Sequence, residues 1–199
     1  DKSQRMAQLA GSTDYAALAN ADLVIEAVFE DMAAKQAVFA ALQQVCKSSA
    51  ILATNTSYLD IEALAASTTR PQDVIGLHFF SPAHVMKLLE IVVPVGVAPD
   101  VVVTAFALAQ RLGKVAVRAG VCDGFIGNRM LAQRRKQAIA LLDRVGIPDA
   151  ARRIDACRRA LLPWPGRAVI VIGHRIARLG GFASRLVLSG FMQNLRFFG

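Results

Sequence analysis

The sequence predicts an α/β fold built around a mostly parallel sheet. Two observations predict it: short β-rich runs alternate with helical patterns over the first two-thirds of the 199 residues, and 54% of the residues are apolar. That length suits one domain, or one domain and part of a second. Such a composition excludes a disordered chain, and no uncharged stretch approaches the 18 or so residues of a membrane-spanning helix.

The predicted elements follow one another in the order expected of βαβ units. Strands are predicted at 22–29, 50–53, 74–80, 88–93 and 114–119, and helices at 32–46, 61–66 and 99–112. Ser57 or Asp60 can cap the second helix, and Asp123 can cap a further helix that opens at Gly124. After about Leu142, Pro, Gly and Arg doublets interrupt the pattern.

The formal net charge of +8 belongs to the last third of the chain. Residues 1–131 carry 10 Lys and Arg against 12 Asp and Glu, whereas residues 132–199 carry 13 against 3, and 12 of those 13 are Arg. A basic segment of this kind suits nucleic acid or an anionic membrane surface, although the sequence contains no nucleic-acid motif.

The cysteines and the N-terminal residues indicate a cytoplasmic protein. Cys46, Cys122 and Cys157 lie in unrelated segments and form no C-x-x-C pair, which argues against a disulfide framework and against a metal site. The polar first residues contain no apolar signal core, so nothing points to secretion.

His78 and Glu90 are the candidates for acid–base chemistry. His78 closes an apolar strand where the carboxyl ends of parallel strands open onto a ligand crevice. Glu90 lies in the next apolar run, and a carboxylate in a buried strand is costly without a partner. If the strands are neighbours, Glu90 would fix the His78 tautomer and leave the other nitrogen as a general base. Otherwise His78 is a core or strand-end histidine and Glu90 an edge residue facing water.

Five further polar residues occupy comparable positions. Asn55 and Ser57 follow a buried strand, Asn128 lies one turn into a predicted helix, and Glu30 and Lys35 flank a strand-to-helix junction. Each also has an ordinary interpretation, as a turn former, a surface amide or a solvated charge. The sequence contains neither G-x-G-x-x-G nor a P-loop, so no phosphate cradle is encoded.

Four motifs give the sequence a specific resemblance. They are DLVIEAVFED at 22–31, NTS at 55–57, HFFSPAHVMKLLEIV at 78–92 and DGFIGNR at 123–129. In this order and spacing, over about residues 12 to 142, the chain resembles 3-hydroxyacyl-CoA dehydrogenase, and in particular the dehydrogenase part of the multifunctional β-oxidation enzymes.

The resemblance implies an activity and a catalytic pair. The family oxidises a (3S)-3-hydroxyacyl-CoA to the 3-ketoacyl-CoA and passes hydride to NAD. By this resemblance His78 is the base that takes the hydroxyl proton, and Glu90 is its orienting carboxylate. Ser57 and Asn128 would hydrogen-bond the substrate, at the oxygen of the reacting carbon and on the thioester side.

The resemblance also implies a cofactor site and a domain organisation. Glu30 and Lys35 match positions near the nicotinamide and ribose, and Asn55 would line the same wall. The fold implied is an incomplete Rossmann-like doubly wound sheet followed by a partial helical C-terminal domain. Residues 1–120 would be an NAD-binding-type domain that lacks its first βαβ unit, and residues 121–199 a remnant of the helical domain. We therefore expect the isolated chain to bind NAD weakly or not at all.

The tail departs from the family beyond about Asp143. Its Arg-rich, Glu-free composition resembles a reading-frame change in a GC-rich gene. The family further implies an acyl-CoA substrate, a homodimer and no membrane span. The alternative function is a basic α/β binding protein that contacts nucleic acid or an anionic surface through this tail.

Overall fold

The computed structural model describes residues 2–145, 170–174 and 186–189. Its helices are α1 (Lys2–Met6), α2 (Met32–Val45), α3 (Ile61–Ala66), α4 (Pro99–Arg111) and α5 (Gly127–Arg144). Its strands are β1 (Leu9–Ser12), β2 (Leu23–Ala27), β3 (Ile51–Thr54), β4 (Val74–Phe79), β5 (Leu88–Val92), β6 (Val115–Ala119), β7 (Ile170–His174) and β8 (Leu186–Ser189). Two short 3-10 helices span Tyr15–Leu18 and Pro71–Asp73.

These eight strands form one mixed sheet in the order β1-β8-β7-β2-β3-β4-β5-β6. β2, β3 and β4 run parallel, so their carboxyl ends lie at one edge of the sheet. β5 is antiparallel to β4, which places its amino end at that same edge, and β6 runs parallel to β5. The polar residues that follow β2 and β3 therefore meet the end of β4.

Helices cover both faces of the central strands. On one face, Phe39 and Leu42 of α2 and Leu64 of α3 pack in a cluster with Val24 of β2 and Leu52 of β3. On the other face, residues of α4 pack against the strands in a second cluster that contains Ile75, Leu77, Leu89 and Ile91. This arrangement confirms the predicted α/β, doubly wound fold.

The described strands and helices of the central region begin and end within two residues of their predicted bounds. Asp60 is the cap of α3, since its carboxylate accepts hydrogen bonds from the backbone N–H groups of Glu62 and Ala63. The cap predicted for Asp123 is wrong: the next helix begins at Gly127, and Ile126 occupies its N-cap position without a side-chain hydrogen bond.

Two strands of the tail join the sheet, which differs from the helical remnant expected for 121–199. β7 pairs antiparallel with β2, and β8 pairs antiparallel with β7 and parallel with β1. α1 and β1 were likewise not predicted. The reading-frame hypothesis concerns the residues beyond about Asp143. Of these, the structure describes only 143–145 and the two strands β7 and β8.

Two compact units divide the chain, one made of Asp1–Phe125 with Ala168–Gly199 and the other of Ile126–Arg167. The sheet belongs to the first unit, and α5 belongs to the second. The domain boundary near residue 120 stays a prediction. None of the helices that the structure describes is both long enough and apolar enough to cross a membrane.

Candidate active site

A buried histidine–glutamate pair lies across β4 and β5. His78 and Glu90 are register partners of the antiparallel strands, so their side chains stand side by side on one face of the sheet. His78 Nδ1 lies 2.7 Å from a Glu90 carboxylate oxygen, Oε2. His78 is 4% exposed and Glu90 is fully buried. Because an ionised carboxylate only accepts hydrogen bonds, Nδ1 carries the proton in this contact and Nε2 is left as an acceptor.

Asn55 ties the end of β3 to the strand that carries His78. Its backbone N–H donates to the Glu26 carbonyl at 2.8 Å, which continues the β2–β3 ladder by one residue. Its side-chain Oδ1 accepts from the backbone N–H of Phe79 at 2.8 Å. Asn55 therefore holds the residue that directly follows His78, a structural contact that the sequence did not indicate.

Glu30 organises the loop after β3. Its Oε1 accepts from the Thr56 hydroxyl at 2.6 Å and from the backbone N–H groups of Ser57 at 2.6 Å and Tyr58 at 3.0 Å. The loops that follow β2 and β3 are thereby joined at the carboxyl edge of the sheet. The Glu30 side chain keeps 38% of its surface exposed, so its carboxylate remains accessible from that edge.

Lys35 lies beneath Glu30 in a buried ion pair with Glu26. The Lys35 ammonium donates to both Glu26 carboxylate oxygens, at 2.8 and 3.0 Å, and lies 3.7 Å from Glu30 Oε2. Glu26 also accepts from the Thr54 hydroxyl at 2.7 Å and from the Val28 backbone N–H at 2.5 Å. Both charged side chains are essentially excluded from solvent.

Sequence reasoning missed Glu26, although the signal was present. Glu26 interrupts the apolar run Leu-Val-Ile-Glu-Ala of β2 in the same way that Glu90 interrupts β5. A carboxylate inside a buried strand needs a partner, and Lys35 follows nine residues later on the adjoining helix. The same reasoning that singled out Glu90 would have found this pair.

Ser57 lies in a loop of the first compact unit, and Asn128 lies in a helix of the second. Ser57 is half-buried in the loop after β3, with its backbone N–H on Glu30. Asn128 is half-buried in the first turn of α5, which belongs to the second unit. The structure therefore brings together His78 with Glu90, and Glu30 with Lys35 and Ser57, while Asn128 is described only within its own helix.

The resolved pKa shifts lie away from these residues. Burial raises the pKa of the Cys46 thiol, and the nearby Arg70 guanidinium only partly opposes this. Burial also raises the pKa of Asp73, again opposed by Arg70. Cys46 ends α2 and Asp73 precedes β4, so both lie near the amino edge of the parallel strands, opposite the edge that carries Glu30 and His78.

Known proteins resemble this chain in sequence. A family model described as 3-hydroxyacyl-CoA dehydrogenase, NAD binding domain, matches residues 1–122. The chain is 53% identical over 132 residues to the peroxisomal bifunctional enzyme of Danio rerio, an alignment that covers 66% of this chain and 18% of that enzyme. The chain thus spans about a fifth of the length of this curated relative.

Two solved structures extend the likeness to three dimensions. A 3-hydroxybutyryl-CoA dehydrogenase from Escherichia coli matches with 44% identity and a TM-score of 0.65, over 67% of this chain and 28% of that one. An (S)-3-hydroxybutyryl-CoA dehydrogenase from Ralstonia eutropha matches with 33% identity and a TM-score of 0.70, over 72% of this chain and 50% of that one.

Proposed function

Because the chain belongs to the 3-hydroxyacyl-CoA dehydrogenase family, through its NAD-binding domain, we propose that it serves the NAD-dependent oxidation of a (3S)-3-hydroxyacyl-CoA to the 3-ketoacyl-CoA in fatty-acid β-oxidation. The single observation that carries this proposal is the buried contact of 2.7 Å between His78 Nδ1 and Glu90 Oε2. It is the arrangement that a general base needs, since one nitrogen is held and the other is left to accept a proton.

His78 and Glu90 divide the proton transfer between them. The hydroxyl group of the substrate gives its proton to His78 Nε2 while the hydrogen on the same carbon leaves as hydride, so an alcohol becomes a ketone. Glu90 keeps Nδ1 protonated, holds the imidazole in place and stabilises the imidazolium that forms. Low solvent exposure strengthens that charge interaction.

The carboxyl edge of the sheet suits the nicotinamide end of NAD, which accepts the hydride when it is bound. Glu30 offers a carboxylate that is partly exposed, and Asn55 lies between it and the end of β4. The ammonium of Lys35 is buried and paired, which supports a role in holding Glu30 rather than in touching the cofactor. The 199 residues contain no G-x-G-x-x-G turn, so these groups suit the nicotinamide end and not the pyrophosphate.

On the substrate side, Ser57 and Asn128 remain the proposed hydrogen-bonding residues. Ser57 lies in the loop that Glu30 holds, next to the end of β3, which supports its place along the crevice. Asn128 is proposed by the family motif alone. The acyl-CoA substrate is likewise a proposal, because the chain spans only a part of its relatives.

The proposal is tested by the reduction of acetoacetyl-CoA with NADH, followed as loss of NADH absorbance. Two proteins are assayed, the 199-residue chain and the same chain extended at its N-terminus by the family's glycine-rich βαβ unit. We expect His78→Gln in the extended protein to lower kcat by about 10²- to 10⁴-fold, the usual contribution of general acid–base catalysis. Glu90→Gln should also lower kcat while leaving KM for NADH nearly unchanged.

His84→Gln is the matched control, since His84 is exposed and lies six residues further along the chain. It should leave kcat within about twofold of the parent protein, as expected of a substitution at an exposed side chain. A His78→Gln protein that is folded by circular dichroism and as active as His84→Gln would contradict the proposal.

The cellular compartment and the oligomeric state of the protein are further proposals. We keep the cytoplasm as the predicted compartment, while the name of the Danio rerio relative makes a peroxisomal matrix the alternative. A homodimer stays a family expectation, which sedimentation of the purified protein tests. The matched family and relatives are dehydrogenases and a bifunctional enzyme, and they give no support to a basic binding protein.

A further inference from the structure

A phenylalanine in a strained backbone conformation contacts His78. The turn after β6 contains two successive residues with left-handed backbone angles, Gly124 at φ +67° and Phe125 at φ +45°. Glycine adopts such angles at no steric cost, whereas a bulky residue rarely does. Phe125 is held there by its N–H, which donates to the Cys122 carbonyl at 3.0 Å, and it is only 1% exposed.

The left-handed turn brings the Phe125 ring to the imidazole. The ring centroids of Phe125 and His78 are 5.6 Å apart, with the planes tilted by 59°. A second ring, that of Phe80 at the end of β4, lies 4.4 Å from His78 with a tilt of 46°. Both contacts fall within the range over which aromatic rings attract one another and a cation attracts a ring face.

These two phenylalanines, here called the ring pair, act on the same torsion that the Glu90 contact restrains. Rotation of the imidazole about its Cβ–Cγ bond would carry Nδ1 away from Glu90 and move Nε2 from the position where it accepts the proton. Side-chain torsions of this kind are broad for an isolated histidine. Rings packed against the imidazole restrict the rotation.

We propose that Phe80 and Phe125 are positioning residues that fix the ring plane of His78, and that the strained turn exists to deliver Phe125 for this purpose. Strained non-glycine residues persist only where the surroundings determine them, and they concentrate at functional sites. The role of the pair in catalysis rests on the proposed function, whereas its role in orienting the ring does not.

Phe39 provides the matched control for a purely structural role. It is a fully buried phenylalanine of α2 in the same apolar cluster as Phe125, so Phe39→Leu and Phe125→Leu remove comparable packing. A substitution that acts only through the core would give the same result at both positions.

The first measurement uses the 199-residue chain and needs no cofactor. Imidazole ¹⁵N chemical shifts, recorded at mildly alkaline pH, report which nitrogen of each of the three histidines carries the proton, and loss of a signal in His78→Gln assigns His78. We expect the parent chain to show a single Nδ1–H tautomer for His78. In Phe125→Leu the two ¹⁵N shifts of His78 should converge as the tautomers mix, and Phe39→Leu should leave them apart.

The second measurement compares the effects on kcat and on KM for NADH in the extended protein. Phe125→Leu should lower kcat about tenfold, because small misplacements of a catalytic group have large effects on rate, with KM for NADH within about twofold. Unchanged ¹⁵N shifts in Phe125→Leu, or equal changes in Phe39→Leu, would overturn the proposal. If Phe125→Leu does not fold, Phe125→Met and Phe80→Leu decide by the same criteria. Converging shifts in a protein without dehydrogenase activity would retain the ring pair and reject the proposed function.

Discussion

The buried pair of Glu26 and Lys35 makes a quantitative prediction about stability. Glu26 accepts two hydrogen bonds from Lys35, one from Thr54 and one from Val28, and both charged side chains are at most 1% exposed. In Glu26→Gln the Lys35 ammonium stays buried, with Glu30 Oε2 at 3.7 Å as an ion-pair partner. Breaking one side of a buried pair costs about 3 to 5 kcal/mol.

That loss is large against the whole stability of a domain, which is about 5 to 15 kcal/mol. Removing both charges is a different perturbation, because no uncompensated charge remains in the core. We therefore expect Glu26→Gln with Lys35→Met to cost no more than about 1 kcal/mol, since buried pairs are often replaced by neutral groups without penalty. The double variant should therefore cost less than the sum of the two single variants, which is the non-additivity expected of residues in contact.

Urea unfolding followed by circular dichroism measures these free energies, provided that the m-value stays constant. The matched control is Asp22→Asn at the amino end of the same strand. Asp22 pairs with Lys47, but these side chains are 21% and 36% exposed, so the change should cost about 1 kcal/mol or less. Equal losses for Glu26→Gln and Asp22→Asn, or a double variant as unstable as the sum of its singles, would refute the reasoning.

Two further predictions concern packing and thiol reactivity. A Cβ added at Gly76 would clash with Ile61 Cδ1 and would lie 2.7 Å from Val92 Cβ, so Gly76→Ala should lower the free energy of unfolding by about 1 to 3 kcal/mol. Gly120→Ala, where nothing lies within 4 Å, is the control, and an equal loss there in thermal or urea unfolding would contradict this explanation. Because burial raises the pKa of the Cys46 thiol, Cys46 should react with iodoacetamide more slowly than exposed Cys122 near neutral pH. Peptide mass spectrometry distinguishes the two sites, and equal rates would show that Arg70 outweighs burial.

The His78–Glu90 pair could be predicted from the sequence because both of its signals are local. An apolar strand that ends in histidine and a carboxylate inside the next apolar run are visible without coordinates. The register that places His78 opposite Glu90 was not visible, because it depends on how the chain between 79 and 88 turns back. The pairing was therefore a conditional prediction that only the antiparallel β4–β5 ladder could decide.

The features that were missed depend on tertiary structure. Nothing in the residue type of Phe125 indicates a left-handed backbone, since that conformation is disfavoured for phenylalanine and is imposed by the surrounding contacts. β7 and β8 come from a segment rich in Gly, Pro and Arg, where strand pairing with β2 and β1 overrides a weak local pattern. The start predicted for the helix at Gly124 is wrong for a related reason, since the left-handed turn occupies those residues and the helix begins at Gly127.

Glu26 and Glu90 are buried carboxylates on the same face of one sheet, and their partners give them different chemistry. Glu26 is paired with the Lys35 ammonium, which donates to both of its carboxylate oxygens, so that pair holds the two side chains in place. Glu90 is partnered by an imidazole, the side chain whose charge changes most readily near neutral pH. An imidazole can hold a hydrogen bond with one nitrogen while the other accepts a proton, whereas an ammonium has donors only. The identity of the partner, and not the burial of the carboxylate, is therefore what distinguishes the two pairs.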